Sequence, residues 1–310
     1  MKILLYGVGS EYVLNNLANF LRNQGHDVTE FIYFKSDDNI LEIMHEFERH
    51  NFIFITSAHL TLNFSTLSVI DPVYASDFPN LFSPLQIICT FLPKISIYIP
   101  HDLAEPYGPK NSGEQCFYDI FDFIISPSKG LNPLNVSEDK VIPLGWIKNI
   151  NNSVYLPKKN KKIVYFVSNF NFIKNKYTPE KFFNLIKNYE NFFYIKFPDW
   201  PGVKRYEKFL NHNGIDIIPS SKFSTDIIKG FQIILTDQIG SIFSEAKYFG
   251  KPCYYLQDDE LNPDSFNPTI EKKIKCTSLK KINNLKPYSI KAEVNNFFDF
   301  NKINELIKPL

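Results

Sequence analysis

FQIILTDQIGSIFSEAKYFGKPCYYL, residues 231–256, carries a buried strand, a polar turn, an amphipathic helix and a second strand in direct succession. The apolar run 231–235 ends in Thr236 and Asp237, and Gly240-Ser241 then opens a helix. The first backbone N–H groups of a helix have no intrahelical partner, so such an end attracts phosphate. Ile242, Phe243, Ala246 and Phe249 form an apolar stripe, while Ser241, Glu245 and Tyr248 recur on another face at helical spacing. Glu245 therefore sits one turn beyond the phosphate-attracting end. Its carboxylate only accepts hydrogen bonds, and its two oxygens suit the two hydroxyls of a ribose whose diphosphate lies at Ser241. Gly250 ends the helix, and Lys251-Pro252 leads into a strand over 253–256.

The spacing of Gly240, Glu245-Ala246, Gly250 and Pro252 resembles the donor-nucleotide motif of GT-B glycosyltransferases. The resemblance implies that Gly240 and Ser241 meet the donor phosphates and that Glu245 meets the ribose. It also implies an α/β architecture of two doubly wound Rossmann-like domains facing a central cleft. The alternative is an ordinary αβ unit with Glu245 on a solvated helix face.

A chain of 310 residues suits two domains. The boundaries expected are 1–149 for an acceptor domain, 150–289 for a nucleotide-donor domain, and 290–310 for a helix that returns to the first. A 44% apolar share excludes disorder, and a formal net charge of +1 gives no support for a nucleic-acid partner. Cys89, Cys116, Cys253 and Cys276 lie far apart without a C-x-x-C pair, which reads as reduced thiols in a cytoplasmic protein. The start MKILLYG goes directly into a strand, so no signal peptide is expected. The longest apolar run, 81–100, contains Pro84, Gln86, Pro93 and Lys94 and reads poorly as a membrane span.

Apolar runs and helical periodicities alternate through both halves in the manner of parallel sheets. Strands are expected over 2–6, 27–33, 52–56, 95–99, 123–126 and 140–143, with helices over 11–23 and 40–49. A lysine-rich polar segment near 149–160 reads as the linker. Strands over 162–167, 192–197 and 216–219 then alternate with helices over 179–189, 203–211 and 225–229. Residues 290–310 have helical periodicity through Val294, Phe297, Phe298, Ile303 and Ile307.

His101 directly follows the strand over 95–99, where a neutral imidazole can take the proton of an acceptor hydroxyl. His59, just after the strand over 52–56, is the second candidate for this base. Lys196 ends a strand and is expected to neutralise a departing phosphate. Ser168 and Asn169 end the first strand of the second half, and with Thr236 and Asp237 they are candidates to contact phosphate or base. His26, between the first helix and the second strand, reads as structural. Gly7 and Gly9 lack the third glycine of a dinucleotide fingerprint, since Tyr12 stands there, so NAD is excluded. No spacing points to a metal.

The segments containing His101, Lys196 and Thr236-Asp237 also resemble CDP-glycerol glycerophosphotransferases, although Asp102 stands where that family has Gly and Lys196-Phe197-Pro198 lacks its His. Thr236-Asp237 is similar to a pair in the hydrolysing UDP-N-acetylglucosamine 2-epimerases. The resulting expectation is a metal-independent transferase that moves a sugar from a nucleotide-sugar donor to a hydroxyl of a cell-envelope glycan or lipid-linked acceptor, with no further cofactor. Polyol-phosphate transfer from a CDP donor, 2-epimerisation, and a non-catalytic nucleotide- or glycan-binding module are the alternatives. The lysine runs at 158–162 and 272–291 read either as solvated faces or as peripheral contacts with anionic lipid on the inner membrane face.

Overall fold

The structure, a computed structural model, describes residues 1–6, 11–31, 51–57, 93–100, 121–129, 136–150, 153–158, 161–238, 240–258, 261, 275–292 and 297–308. The chain forms two compact units, Met1–Ile150 with Asn296–Leu310, and Asn151–Asn295.

The first unit contains a sheet of six parallel strands, β1 (Lys2–Tyr6), β2 (Asp27–Phe31), β3 (Phe52–Thr56), β4 (Ile95–Tyr98), β5 (Phe123–Ser126) and β6 (Val141–Pro143), in the order β2-β1-β3-β4-β5-β6. β3 is buried along its whole length, as expected where both faces of a parallel sheet are covered. Helix α1 (Glu11–Asn23) buries Leu14, Leu17, Ala18 and Leu21, one stripe at helical spacing. Asp122 ties β5 to β4 by accepting from the Ser96 amide at 2.7 Å and its hydroxyl at 2.8 Å.

The last helix belongs to this unit and is shorter than its periodicity predicts. It spans Phe300–Ile307, and Asp299 caps it by accepting from the amides of Asn301 and Lys302. Residues 297–299 are not helical, because Phe298 N–H donates to Asn149 O at 3.0 Å and Asp299 N–H to Leu144 O at 2.8 Å. Phe300 packs on Phe20 of α1 with ring centroids 5.3 Å apart. His26 Nε2 shares a 2.9 Å hydrogen bond with Asn304 Oδ1, which gives this histidine a structural partner on the terminal helix.

The second unit is built on strands β7 (Ile163–Phe166), β8 (Phe193–Lys196), β9 (Ile217–Ile218), β10 (Ile233–Thr236), β11 (Cys253–Leu256) and β12 (Lys275–Thr277). All pairs are parallel and the order is β12-β11-β10-β7-β8-β9. In the described part of this unit the helices are α2 (Phe170–Lys176), α3 (Pro179–Ile186), α4 (Val203–His212), α5 (Ser224–Gly230) and α6 (Ser241–Tyr248). The sheet has a core on each face. On one, Phe170, Phe182, Phe197 and Tyr206 from α2, α3, α4 and the end of β8 interlock edge-to-face, with α2 and α4 rings 5.3 Å apart. On the other, α5 and α6 cover Val164, Phe166, Tyr194 and Ile234. Burying each such side chain stabilises the fold by about 1.5–3 kcal/mol.

Two elements escape the sequence pattern. α2 buries only Phe170 and Ile173, so it has a single apolar turn to advertise it, and β12 is a three-residue edge strand with one buried side chain. Cys253 is a buried free thiol on β11 and Cys276 an exposed one on β12, while Cys89 and Cys116 lie outside the described residues.

Two glycines carry specific constraints. At the end of α6, Gly250 (φ +66°) completes a Schellman turn in which its N–H donates to Lys247 O and Lys251 N–H to Ala246 O. Gly230, the last residue of α5, lies against the backbone of Tyr155, whose N–H donates to Asp226 O at 2.9 Å. A Cβ on Gly230 would stand 1.8 Å from Tyr155 O. The Gly230→Ala variant is therefore expected to lose about 1–3 kcal/mol, since backbone on both sides must shift. A urea midpoint unchanged from the parent protein would refute that close approach.

Candidate nucleotide site in the second unit

From β7 the chain runs outward to β8 and β9, then crosses back and runs the other way through β10, β11 and β12. The loop after β7 leads to α2 on one face of the sheet, and the loop after β10 leads to α6 on the other. Adjacent parallel strands whose loops diverge in this way open a crevice at their carboxyl ends, the place where open α/β sheets bind ligands. Ser168 and Asn169 follow β7. Thr236 ends β10, and Asp237, Gly240 and Ser241 follow it. The topology therefore gathers the predicted donor residues at one switch point.

Two clusters form there. The first joins the strands. Asp237 Oδ1 accepts from the amides of Ser168 at 2.7 Å and Asn169 at 2.9 Å, and Oδ2 accepts from the Tyr165 hydroxyl at 2.8 Å. The hydroxyls of Ser168 and Thr236 share a 2.9 Å hydrogen bond beside it. Burial raises the Asp237 carboxyl from its ordinary 3.8 to about 6, against the opposing pull of these donors. Burial also pushes Tyr165 well above its ordinary range, with the Asp237 charge adding to the effect. Asp237 thus places negative charge of its own at the amides that lead into α2.

The second cluster lies at α6, whose N-cap Gly240 supplies no side-chain acceptor to the first turn. Glu245 has an exposure of 0%. Its Oε1 accepts from the Ser241 hydroxyl at 2.9 Å and its Oε2 from the Ser224 hydroxyl, at the start of α5, at 2.8 Å. The solvated-face alternative for Glu245 is thereby overturned. Glu245, Ala246 and Tyr248 are the fully buried side of α6, whereas Ile242, Phe243 and Phe249 of the expected apolar stripe are half-buried. Burial of this carboxylate is tolerable because both oxygens receive hydroxyl donors.

Lys196 ends β8 in register with Phe166 and joins neither cluster. Its ammonium is buried and donates to Phe197 O at 2.5 Å and Ser220 O at 2.9 Å. Burial lowers its pKa from 10.5 to about 8, opposed by the charges of Asp199 and Glu207. A lysine depressed in this way makes folding stability rise with pH across the window from about 8 to 10.5. Ser220 is held in turn by Asp199, Lys204 and Glu207.

His101 and His59 lie outside the described residues. Tyr165 and Ser224 are the participants that sequence reasoning did not single out. A tyrosine inside the apolar run of β7 carries a signal, because a buried phenol needs a hydrogen-bond partner. Ser224 reads as a helix cap, but Phe223 is the N-cap residue and the serine hydroxyl goes to Glu245 instead.

Among the described residues no group of three or more His, Cys, Asp and Glu could hold a metal ion. Among them, too, no helix is long and apolar enough to cross a membrane. No protein-family model matches the chain, and no curated protein matches it in sequence. Solved structures do match. A UDP-GlcNAc 2-epimerase from Neisseria meningitidis shares 16% identity over 92% of this chain and 90% of that one, with a TM-score of 0.45. The wall teichoic acid polymerase TagF shares 12% over 92% and 80%, with a TM-score of 0.45. A calicheamicin glycosyltransferase shares 10% over 91% and 86%, with a TM-score of 0.44.

Proposed function

We propose that this protein is a glycosyltransferase of the GT-B type that moves a sugar from a nucleotide-sugar donor to a hydroxyl of a cell-envelope glycan or glycolipid. The observation that carries this reading is the Glu245–Ser241 pair at the start of α6, one turn apart beside the switch point of the second sheet. In this reading a nucleoside diphosphate takes one orientation. The diphosphate lies at the first-turn amides of α6, where the helix dipole favours negative charge, and the ribose hydroxyls reach the carboxylate one turn on. The amides entering α2 already face Asp237, which leaves α6 as the favoured phosphate end.

In the reaction, the acceptor oxygen attacks the anomeric carbon and the bond from that carbon to the diphosphate oxygen breaks. The electron pair leaves with the nucleoside diphosphate, and the acceptor proton passes to a base. His101 is assigned as that base, with His59 as its rival. Lys196 uses two of its three N–H donors on backbone carbonyls and has one left to offer the departing phosphate.

The test is thermal stabilisation by UDP, GDP, CDP and CMP measured side by side, since a ligand bound only by the folded state adds RT ln(1 + [L]/Kd). A preference for UDP or GDP is expected. A preference for CDP would move the assignment to polyol-phosphate transfer, and no shift with any of the four would refute nucleotide binding. With a donor in hand, His101→Ala is expected to lower turnover at least 100-fold, the scale of general-base catalysis, with donor affinity unchanged. Equal losses in both would make His101 a structural residue.

A further inference from the structure

β12 is an edge strand of the second sheet, and the chain that follows it carries lysines along that edge. Between Lys275 and Ala292 stand five lysines, Lys275, Lys280, Lys281, Lys286 and Lys291, and no Asp, Glu or Arg. All five are exposed. A short 3-10 helix (Leu279–Asn284) buries Leu279 and Ile282 and leaves Lys280 and Lys281 in solvent just beyond the carboxyl end of β12. The chain then returns toward the start of β11. The Tyr254 hydroxyl donates to Lys286 O at 2.8 Å, and the Tyr288 hydroxyl donates to Cys253 O at 2.7 Å and accepts from Cys253 N–H at 3.2 Å. At the amino end of β12 the Lys275 ammonium lies 3.7 Å from the centroid of the Tyr288 ring. These ties hold the backbone of the strip without engaging the ammonium groups of Lys280, Lys281, Lys286 and Lys291.

We propose that this edge of the second unit is a docking surface for an anionic phospholipid bilayer, with the five lysines as its contacts. The inference is independent of the donor reading. Elsewhere in the unit lysines answer to acids, Lys161 to Asp216, Lys204 to Glu207 and Lys229 to Asp226. Among the described residues no lysine of the strip is paired with a carboxylate. A chain with a formal net charge of +1 thus gathers like charges on one edge, where they repel one another until a negative surface meets them. The absence of arginine favours lipid over nucleic acid. Planar guanidinium forks suit the directional recognition of nucleic acid, whereas compact, hydrated ammonium groups suit diffuse attraction to headgroups. Each lysine near such a surface strengthens binding about fivefold, equivalent to about 1 kcal/mol. The lysine run at 158–162 differs, because Lys161 is committed to Asp216, and Lys272 and Lys273 lie outside the described residues.

The experiment is co-sedimentation of the full chain with vesicles of phosphatidylcholine alone and of equal parts phosphatidylcholine and phosphatidylglycerol. Binding to the anionic vesicles and not to the neutral ones is expected, as is its loss between about 0.1 M and about 1 M salt, where the Debye length falls from about 10 Å to about 3 Å. The triple variant Lys280→Gln, Lys281→Gln, Lys286→Gln is expected to bind about 100-fold more weakly, from three lysines at about fivefold each. All three side chains are exposed, so its melting temperature should equal that of the parent protein. A control with the same change of charge at the exposed Lys181, Lys187 and Lys208 is expected to keep most of the binding. No binding of the parent protein to anionic vesicles would overturn the proposal, as would equal losses in the two triple variants or binding that survives high salt. Binding to a single-stranded oligonucleotide in place of the vesicles, lost in the first triple variant, would overturn it in favour of nucleic acid.

Discussion

Glu245→Ala is expected to weaken binding of ribose-bearing nucleoside diphosphates about 10- to 100-fold, because up to two hydrogen bonds to a charged acceptor are lost at about 1.5–3 kcal/mol each and part of that is offset by solvation of the freed hydroxyls. Stability should change little by comparison. The hydroxyls of Ser224 and Ser241, which donate to Glu245 now, can rotate toward other acceptors, and a buried charge disappears with the side chain. Titration calorimetry of the variant, beside its melting temperature without nucleotide, separates the two effects. An affinity equal to that of the parent protein would remove Glu245 from the donor site. It would then be a post that joins the starts of α5 and α6.

The parts of the fold legible in the sequence are those where a local pattern and the tertiary demand coincide. β3 and all of β1 but Lys2 are short runs that end up buried, and their limits follow from composition alone. α1 shows one buried stripe for the same reason. The switch point was not legible, since alternation of strand and helix fixes which loops follow which strands but does not place β10 beside β7. Ser241 and Glu245 were legible as a pair from their helical spacing, but two other pairs at the site were not. Tyr165 meets Asp237 across 72 residues of chain and Ser224 meets Glu245 across 21, so no spacing rule links them. A glutamate on a helix reads as solvated until the hydroxyls that permit its burial are placed. The terminal helix was read too long because backbone bonds to Leu144 and Asn149 hold residues 298 and 299 out of it. Those bonds leave no trace in side-chain periodicity.

Asp237 offers the second large effect, and its chemistry makes the alanine and asparagine variants diverge. Asp237→Ala strands the Tyr165 hydroxyl and the amides of Ser168 and Asn169, three donors that now point at one carboxylate. Each buried unsatisfied donor costs about 1–3 kcal/mol, and relief of the buried charge returns part of the total, so a net loss of about 2–3 kcal/mol is expected. Asp237→Asn keeps Oδ1 as acceptor for both amides and turns Nδ2 toward Tyr165, whose hydroxyl can accept as well as donate. The pH dependence distinguishes them further. The folded-state pKa is raised from 3.8 to about 6, so between these values the folded protein keeps a proton that the unfolded chain releases. The stability contribution is then fully present below about pH 4 and is lost as pH rises through about 6. The asparagine variant has no such titration. Its stability relative to the parent protein is therefore expected to improve, by on the order of 2 kcal/mol, between pH 4 and pH 7.5. Urea midpoints at those two pH values decide the matter. A difference between Asp and Asn that stays constant with pH would show that Asp237 keeps its charge throughout, held by its three donors strongly enough to cancel the cost of burial.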